Sequence, residues 1–105
     1  MKTRTLSLAL AASLLAGSAL AENFVIGSHV PLTGNLARVG KGMDEGIAVA
    51  VSLANEDHKG KHSFEVKKID DETSPAKAVA AVERLASEGA VAFTGGYGSN
   101  IIGPP

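Results

Sequence analysis

The sequence predicts an α/β fold built on a parallel sheet, because short apolar runs alternate along the chain with stretches of helical periodicity. Three such runs begin at Phe24, Phe64 and Ala90, and amphipathic stretches separate them. Strands that alternate with helices form parallel sheets with right-handed crossovers. We therefore expect a Rossmann-like βαβαβ unit, in which ligands bind outside the carboxyl ends of the strands.

The N-terminal segment has the pattern of an export signal that is removed from the mature protein. Lys2 and Arg4 precede the apolar run Leu6–Ala16, and small residues flank Leu20 at the end of the segment. The uninterrupted apolar run is shorter than the ~20 residues that a membrane-spanning helix needs. We therefore predict that residues 1–21 are a signal peptide, cleaved after Ala21, and that the mature chain enters the periplasm.

The composition excludes several classes of function. The chain has 105 residues and therefore holds at most one domain. It contains no Cys, which excludes disulfides, thiolate metal sites, cysteine nucleophiles and a lipid anchor on an N-terminal Cys. Its formal net charge of -1 favours neither nucleic acid nor an anionic membrane as a partner.

The first strand is predicted at Phe24–Gly27, whose apolar character suits a strand covered on both faces. His29–Gly40 follows as a loop, because it contains Gly, Pro and Asn. His29 stands at the end of the strand, where it could line a cleft, and has no evident partner. The first helix is predicted to run to about Asn55 on the spacing of one apolar face: Met43, Ile47, Ala50, Val51 and Ala54.

Polar residues define the region between the first helix and the second strand. Asp44 and Glu45 are expected in or near the first turns of the helix, where the helix dipole stabilises anions. Glu56–Ser63 is predicted as a polar turn. The second strand follows at Phe64–Ile69, and its polar residues suit a position at or near the edge of the sheet.

The second helix has clear start and stop signals. Ser74 is a good N-cap, Pro75 suits the first helical position, and Gly89 suits the position just past the end. The third strand is predicted at Ala90–Phe93. The expected buried stripe of the helix consists of Val79, Val82 and Ala86, widened by Ala78 and Leu85.

The glycine-rich turn after the third strand is the strongest candidate for a binding site. Its glycines let a ligand approach the backbone, and free N–H groups at the start of a following helix attract anions. Next to Gly98, the Ser99 hydroxyl can donate a hydrogen bond to a carboxylate, and Tyr97 offers an apolar face with a polar tip. The alternative is a plain turn in which Ser99 and Asn100 cap a further helix.

Other motifs argue against nucleotide binding and catalysis. Neither Gly96–Ile101 nor Gly40–Gly46 has the spacing of a dinucleotide-binding motif, and no phosphate-binding lysine motif occurs. Asp70-Asp71-Glu72 has carboxylates suited to acid–base chemistry, but without a nucleophile or a metal cluster it predicts loop capping. We therefore expect a protein that is not an enzyme and has no cofactor.

A pair of histidines is the remaining candidate for a metal site. His58 and His62 are four residues apart, a spacing that places two metal ligands on one face of a helix. Gly60 lies between them in a polar turn that is remote from the predicted binding edge. The sequence therefore favours a solvated surface, and we predict no metal ligands.

Motifs along the whole mature chain resemble a known family. The first strand leads into an IGxxxPLTG segment. Five further motifs follow it in order along the chain: Gly40 and Gly46; Asp70-Asp71 with Ser74–Val79; Leu85 with Glu88-Gly89; Val91–Gly95; and Tyr97–Ser99. In this order they resemble the exported solute-binding proteins of branched-chain amino acid (Leu/Ile/Val-binding) ABC transporters. That resemblance implies the type I periplasmic binding fold, in which two lobes close on a ligand.

The resemblance also implies a site and a partner. Ser99 would donate to the carboxylate of the ligand, beside the backbone of Gly98 and Asn100. Val39 lies where several members place a bulky side chain beside the ligand, and Tyr97 could fill part of that space. The implied ligand is an amino acid, branched-chain or related, or a similar small carboxylate or amide. The implied partner is the membrane permease of an ABC transporter, and the full-length parent is expected to be a monomer.

The chain departs from this family in length, because members are several times longer. Residues 22–105 correspond to an incomplete N-terminal lobe, so we expect a fragment that supplies one wall of the cleft. Two alternatives stay open: a ligand-sensing domain of the same fold in a signalling receptor, and a fragment of an exported α/β enzyme. Downstream transmembrane segments would favour the receptor, and a downstream catalytic motif would favour the enzyme.

Overall fold

The computed structural model describes residues 21–103 as alternating strands and helices. Their order is β1 (Glu22–Val30), α1 (Ala37–Asp57), β2 (His62–Asp70), α2 (Pro75–Ser87), β3 (Ala92–Gly95) and α3 (Ser99–Ile102). The predicted α/β class with a parallel sheet is confirmed. The predicted signal peptide, apart from Ala21, lies outside the described residues. No helix within the described residues is long and apolar enough to cross a membrane.

The sheet has the strand order β2-β1-β3, which places β1 in the middle. β1 pairs with β2 along its whole length, from Glu22 opposite His62 to Val30 opposite Asp70. Its other side pairs with the short β3, up to His29 opposite Gly95. The chain therefore passes from β1 to a neighbour on one side and later to a neighbour on the other. The carboxyl ends of β1 and β3 form the reversal point at which open α/β sheets bind ligands.

The helices α1 and α2 cover opposite faces of the sheet. Ile26 of β1 and Ile47 of α1 line the same cavity, which has a volume of about 200 Å³. A Cβ on the next residue, Gly27, would lie 3.1 Å from the Cβ of Leu85 in α2. Successive residues of a strand point to opposite faces, so the two helices sandwich β1. The buried apolar side chains include Val30, Pro31, Ala78, Ala81 and Leu85.

The buried stripe of α2 differs from the predicted one. Ala78, Ala81 and Leu85 are buried, whereas Val79 is 60% exposed and Val82 is 37% exposed. The helix is therefore rotated so that small residues contact the sheet. Alanines allow α2 to approach the sheet closely, and the two valines line a cavity with Ile101 and Ile102 of α3.

The first helix begins earlier than predicted, and the preceding loop is shorter. Ladder pairing carries β1 through His29 and Val30, and α1 begins at Ala37, so the loop contains residues 31–36. The prediction for Asp44 and Glu45 is wrong, because the first turn of α1 has no acidic residue. The carboxylate of Asp44 instead lies 2.7 Å from the Nζ of Lys68.

Gly40 explains why α1 can start so close to the end of β1. It is buried in the second turn of the helix, and a Cβ at this position would overlap the carbonyl oxygen of Pro31. A side chain here would push the helix away from the loop. Gly42 and Gly46 have open space at the corresponding position, so among these three glycines the close packing is confined to Gly40.

The predicted signals at both ends of α2 match the structure, and the start of β3 does not. The Ser74 hydroxyl accepts a hydrogen bond from the Lys77 N–H at 3.4 Å, and Gly89 has a φ of 96°. β3 starts at Ala92, two residues after the predicted position, because the Ala90 N–H still donates to the Leu85 carbonyl and completes the end of the helix.

Candidate ligand site at the carboxyl edge of the sheet

Three connections meet at the carboxyl ends of the strands. They are the β1–α1 loop (residues 31–36), the β2–α2 loop (residues 71–74) and the β3–α3 turn (residues 96–98). The first two are joined to each other by side-chain hydrogen bonds, and the third is joined to the end of β1 through its backbone. The geometry of each connection follows from the residues that hold it.

Asp70, the last residue of β2, holds the β1–α1 loop. Its Oδ1 accepts from the N–H groups of Leu32 and Glu72, both at 2.8 Å, and of Thr33 at 3.3 Å. Its Oδ2 accepts from the Thr33 hydroxyl at 2.7 Å. Burial raises the pKa of Asp70, but the Thr33 hydroxyl and the backbone N–H groups outweigh it, so the pKa lies below its ordinary value of 3.8.

Asp71 is fully buried and forms the second carboxylate of this edge. Its Oδ2 lies 2.9 Å from the Nδ1 of His29, and its Oδ1 accepts from the Thr73 N–H at 3.0 Å. The sequence suggested no partner for His29, and this was wrong. The partners are 42 positions apart and meet because His29 and Asp71 lie at the ends of adjacent parallel strands.

The β2–α2 loop contains two non-glycine residues in the left-handed region, Glu72 with a φ of 55° and Thr73 with a φ of 61°. Such conformations persist where surrounding contacts enforce them. Here the Thr73 hydroxyl donates to the Thr33 carbonyl at 3.0 Å and accepts from the Leu36 N–H at 3.4 Å. A Cβ on Gly34 would lie 2.7 Å from that hydroxyl, so the loops need glycine at this contact.

The β3–α3 turn depends on glycines instead of carboxylates. Gly95, Gly96 and Gly98 have φ values of 94°, 78° and 105°. The Gly96 N–H donates to the His29 carbonyl at 2.7 Å, and a Cβ on Gly96 would lie 3.2 Å from the His29 ring. A Cβ on Gly98 would lie 3.5 Å from the Leu36 Cδ1. The turn therefore packs against both the end of β1 and the end of the β1–α1 loop.

The predicted ligand residues lie within or directly after the turn and the loop that this packing joins. Tyr97 is 45% exposed in the β3–α3 turn, and Ser99 and Asn100 are exposed in the first turn of α3. Val39 is 38% exposed in the first turn of α1, three residues after Leu36. Gly98 is the N-cap of α3, so Ser99 is its first helical residue and not the cap that the sequence allowed.

The hydrogen-bonding groups of this turn are available to a ligand. Within residues 21–103, no protein hydrogen bond engages the hydroxyl of Tyr97 or Ser99. The backbone N–H groups of Ser99 and Asn100 have no intrahelical acceptor, because they open α3. The next N–H groups along the chain, of Ile101 and Ile102, donate to the Gly98 carbonyl. The site thus offers hydrogen-bond donors beside a half-exposed aromatic ring.

The part of the chain that the structure describes contains no metal site with three protein ligands. No cluster of three or more His, Asp or Glu side chains is arranged there to hold an ion. The carboxylates of Asp70 and Asp71 are engaged by loop hydrogen bonds, as the capping interpretation of this segment expected.

A parallel α/β sheet with donor groups at its strand-reversal point defines a class of small-molecule-binding domains. The chain belongs to the periplasmic binding protein family, whose model matches residues 24–104. The family resemblance seen in the sequence is thereby confirmed.

A solved structure shares the fold. The chain is similar to a possible leucine/isoleucine/valine-binding protein from Rhodopirellula baltica SH 1, with a TM-score of 0.66 and 23% sequence identity. The match covers 79% of this chain and 23% of that protein, so the chain spans less than a quarter of its length. No curated protein matches the chain.

Proposed function

We propose that this chain forms one wall of the ligand site of an exported solute-binding protein. The ligand is an amino acid, branched-chain or related, or a similar small carboxylate or amide. The partner is the membrane permease of an ABC transporter, to which the protein delivers its ligand in the periplasm. The observation that carries this proposal is the packing of the donor-bearing β3–α3 turn against the end of β1 and the end of the β1–α1 loop, in a chain of the periplasmic binding protein family.

The chemistry proposed for recognition is local hydrogen bonding. The Ser99 hydroxyl and the N–H groups of Ser99 and Asn100 would donate to a ligand carboxylate, and Tyr97 and Val39 would contact its side chain. α3 has 4 residues, so its macrodipole adds little, and the individual donors must supply the binding energy. This chemistry needs no nucleophile and no cofactor, which is why the proposal is a binding protein and not an enzyme.

The first test concerns the protein as the cell exports it. Mass spectrometry of the periplasmic product gives its N-terminus and its length. We expect a mature chain that starts at Glu22, after loss of the signal peptide. Retention of residues 1–21 or a cytoplasmic location would contradict the export part of the proposal.

The second test is calorimetry of the exported protein with leucine, isoleucine, valine, other amino acids and their amides. Replacement of Ser99 by Ala should weaken binding by about 1–3 kcal/mol, since a charge-assisted hydrogen bond is lost. Ser52→Ala is the matched control, because Ser52 is exposed on α1 outside the site. Equal affinity of the Ser99→Ala and Ser52→Ala variants would remove Ser99 from the site. Failure of every ligand in the panel would overturn the proposed ligand class.

A further inference from the structure

The imidazole of His29 lies between the two sides of the carboxyl edge. The side chain is only 11% exposed, and its Nδ1 lies 2.9 Å from the Oδ2 of the fully buried Asp71. An ionised carboxylate can only accept, so the Nδ1 carries a proton and donates it whether or not the ring is charged. This charge-assisted hydrogen bond fixes the orientation of the ring.

Asp71 is a rigid partner, because its main chain and its second carboxylate oxygen are hydrogen-bonded as well. Its N–H donates to the Val30 carbonyl at 3.1 Å, and its carbonyl accepts from the Ser74 N–H at 2.9 Å. Its Oδ1 accepts from the Thr73 N–H at 3.0 Å. The position of the His29 ring is therefore determined by the β2–α2 loop.

The far end of the ring packs against the β3–α3 turn. A Cβ on Gly96 would lie 3.2 Å from the Cε1 of His29 and 3.4 Å from its Nε2. The His29 carbonyl accepts from the Gly96 N–H at 2.7 Å, and His29 pairs with Gly95 in the ladder. His29 therefore holds the turn where it leaves β3, through its main chain and through its side chain.

Gly96 extends this contact to α3. A Cβ on Gly96 would also lie 2.6 Å from the Cγ2 of Ile102, so the residue fits between the imidazole and that side chain. Elsewhere α3 is less closely packed, since a cavity of about 370 Å³ lies between it and α2, with Val82 and Ile101 in its wall. The position of α3, and of Ser99 at its start, therefore depends on the contact at Gly96.

We propose that His29 is a positioning residue of the ligand site, through which the loop fixed by Asp71 determines where the turn with Tyr97 and Ser99 lies. This inference rests on the proposed function, since that function places the ligand donors on the turn. His29 acts through Gly96 and does not contact the ligand. A displaced turn would weaken binding, because hydrogen bonds depend steeply on their geometry.

Hydrogen exchange of two amides tests the positioning without any ligand. His29→Asn keeps a donor nitrogen on Cγ for Asp71 and removes the ring atoms that face Gly96. We expect exchange of the Gly96 N–H to accelerate about tenfold relative to that of the Asp71 N–H, which donates to Val30 on the β2 side of β1. A general loss of stability would accelerate both amides equally. His58→Asn, at an exposed histidine, should change neither amide.

Calorimetry with leucine, isoleucine and valine relates the position of the turn to binding. The His29→Asn protein should bind at least about threefold more weakly than the parent, and the His58→Asn protein should bind like the parent. Equal acceleration of the two amides, or none, would overturn the proposal. Unchanged affinity in a protein whose Gly96 amide exchanges faster would overturn it too. Failure of the parent to bind any amino acid would overturn the proposed function, and the exchange rates would still decide the role of His29.

A measurement on the parent protein covers the case in which His29→Asn does not fold. The Cε1 proton of His29 and the Cα protons of Gly96 are close enough for a nuclear Overhauser effect. We expect this effect in NMR spectra of the exported protein. Its absence would remove the contact on which the positioning depends, and would overturn the proposal.

Discussion

The two sides of the carboxyl edge are held in different ways. On the β1–β2 side, the carboxylates of Asp70 and Asp71 accept hydrogen bonds from both neighbouring loops. On the β3 side, the turn has no such side-chain anchor within the described residues, and its conformation rests on three glycines with positive φ. The anchored side carries no free polar side chain of the proposed site, whereas the glycine-based turn presents Tyr97 and Ser99. The side chains that would contact a ligand therefore lie on the glycine-based turn, and the loops held by Asp70 and Asp71 form the rigid part of the edge beside it.

The largest expected effect is on the anchored side, at Asp71. Replacement by Ala removes the partner of the buried His29 ring and of the Thr73 N–H, so we expect a loss of about 3–5 kcal/mol in the free energy of unfolding. Urea denaturation of the exported protein measures it. Asp57→Ala is the control, since Asp57 is exposed. Similar free energies of unfolding for the two variants would show that the β1–β2 side of the edge does not depend on the His29–Asp71 pair.

A comparison of two glycines separates the energetic cost of a steric contact from the cost of a positive φ. Gly95 and Gly89 have nearly equal φ values of 94° and 96°, but a Cβ on Gly95 would lie 2.5 Å from the His29 carbonyl oxygen, and one on Gly89 would meet open space. We expect Gly89→Ala to cost about 1 kcal/mol and Gly95→Ala about 2–3 kcal/mol. Equal losses in denaturation experiments would mean that the turn is free to move away from β1.

A pH-dependent effect is expected at Asp70. The pKa of Asp70 is lower in the folded chain than in the unfolded chain, where it is about 3.8. The ionised carboxylate therefore adds to the free energy of unfolding above pH ~3.8, and this stabilisation is lost as the pH falls through the pKa of the folded state. Asp70→Asn should therefore lower stability by about 1–2 kcal/mol at pH 7, and the difference should shrink below pH ~3.8. Denaturation at a series of pH values tests this.

Asp44→Asn is the control for that series, because Asp44 pairs with an exposed lysine and should contribute less than about 0.5 kcal/mol. The role of the ionised carboxylate would be contradicted if the difference in free energy of unfolding between the parent and the Asp70→Asn variant stayed constant down to pH 2.

The alternation of strands and helices was predictable because each element has its own periodicity and punctuation. Ser74, Pro75 and Gly89 define the ends of α2 through local rules, and the structure agrees. The length of β1 was not predictable in the same way. Ser28 and His29 are polar, and they belong to the strand because β2 and β3 supply partners on both sides.

The sequence predicts where the candidate site lies, but it does not predict the contacts that hold the surrounding loops in place. Parallel strands place their carboxyl ends at one edge, so the loop containing Ser99 could be chosen from the order of elements alone. The His29–Asp71 contact depends on the register of two strands separated by a helix, which no local pattern encodes. The exposure of Val79 depends on the rotation of α2, which is decided by how closely its alanines can pack.

The smallest effect on stability should occur where the proposed effect on binding is largest. The Ser99 hydroxyl is exposed and makes no hydrogen bond to the described protein, so Ser99→Ala should change the free energy of unfolding by no more than about 0.5 kcal/mol. Parallel denaturation and calorimetry of the same variant measure both quantities. A stability loss comparable to that of Gly95→Ala would assign Ser99 to the structure of the turn, and weakened ligand binding could no longer be attributed to a missing donor. Stability retained with binding weakened would place the hydroxyl on the ligand, because nothing else within the described residues uses it.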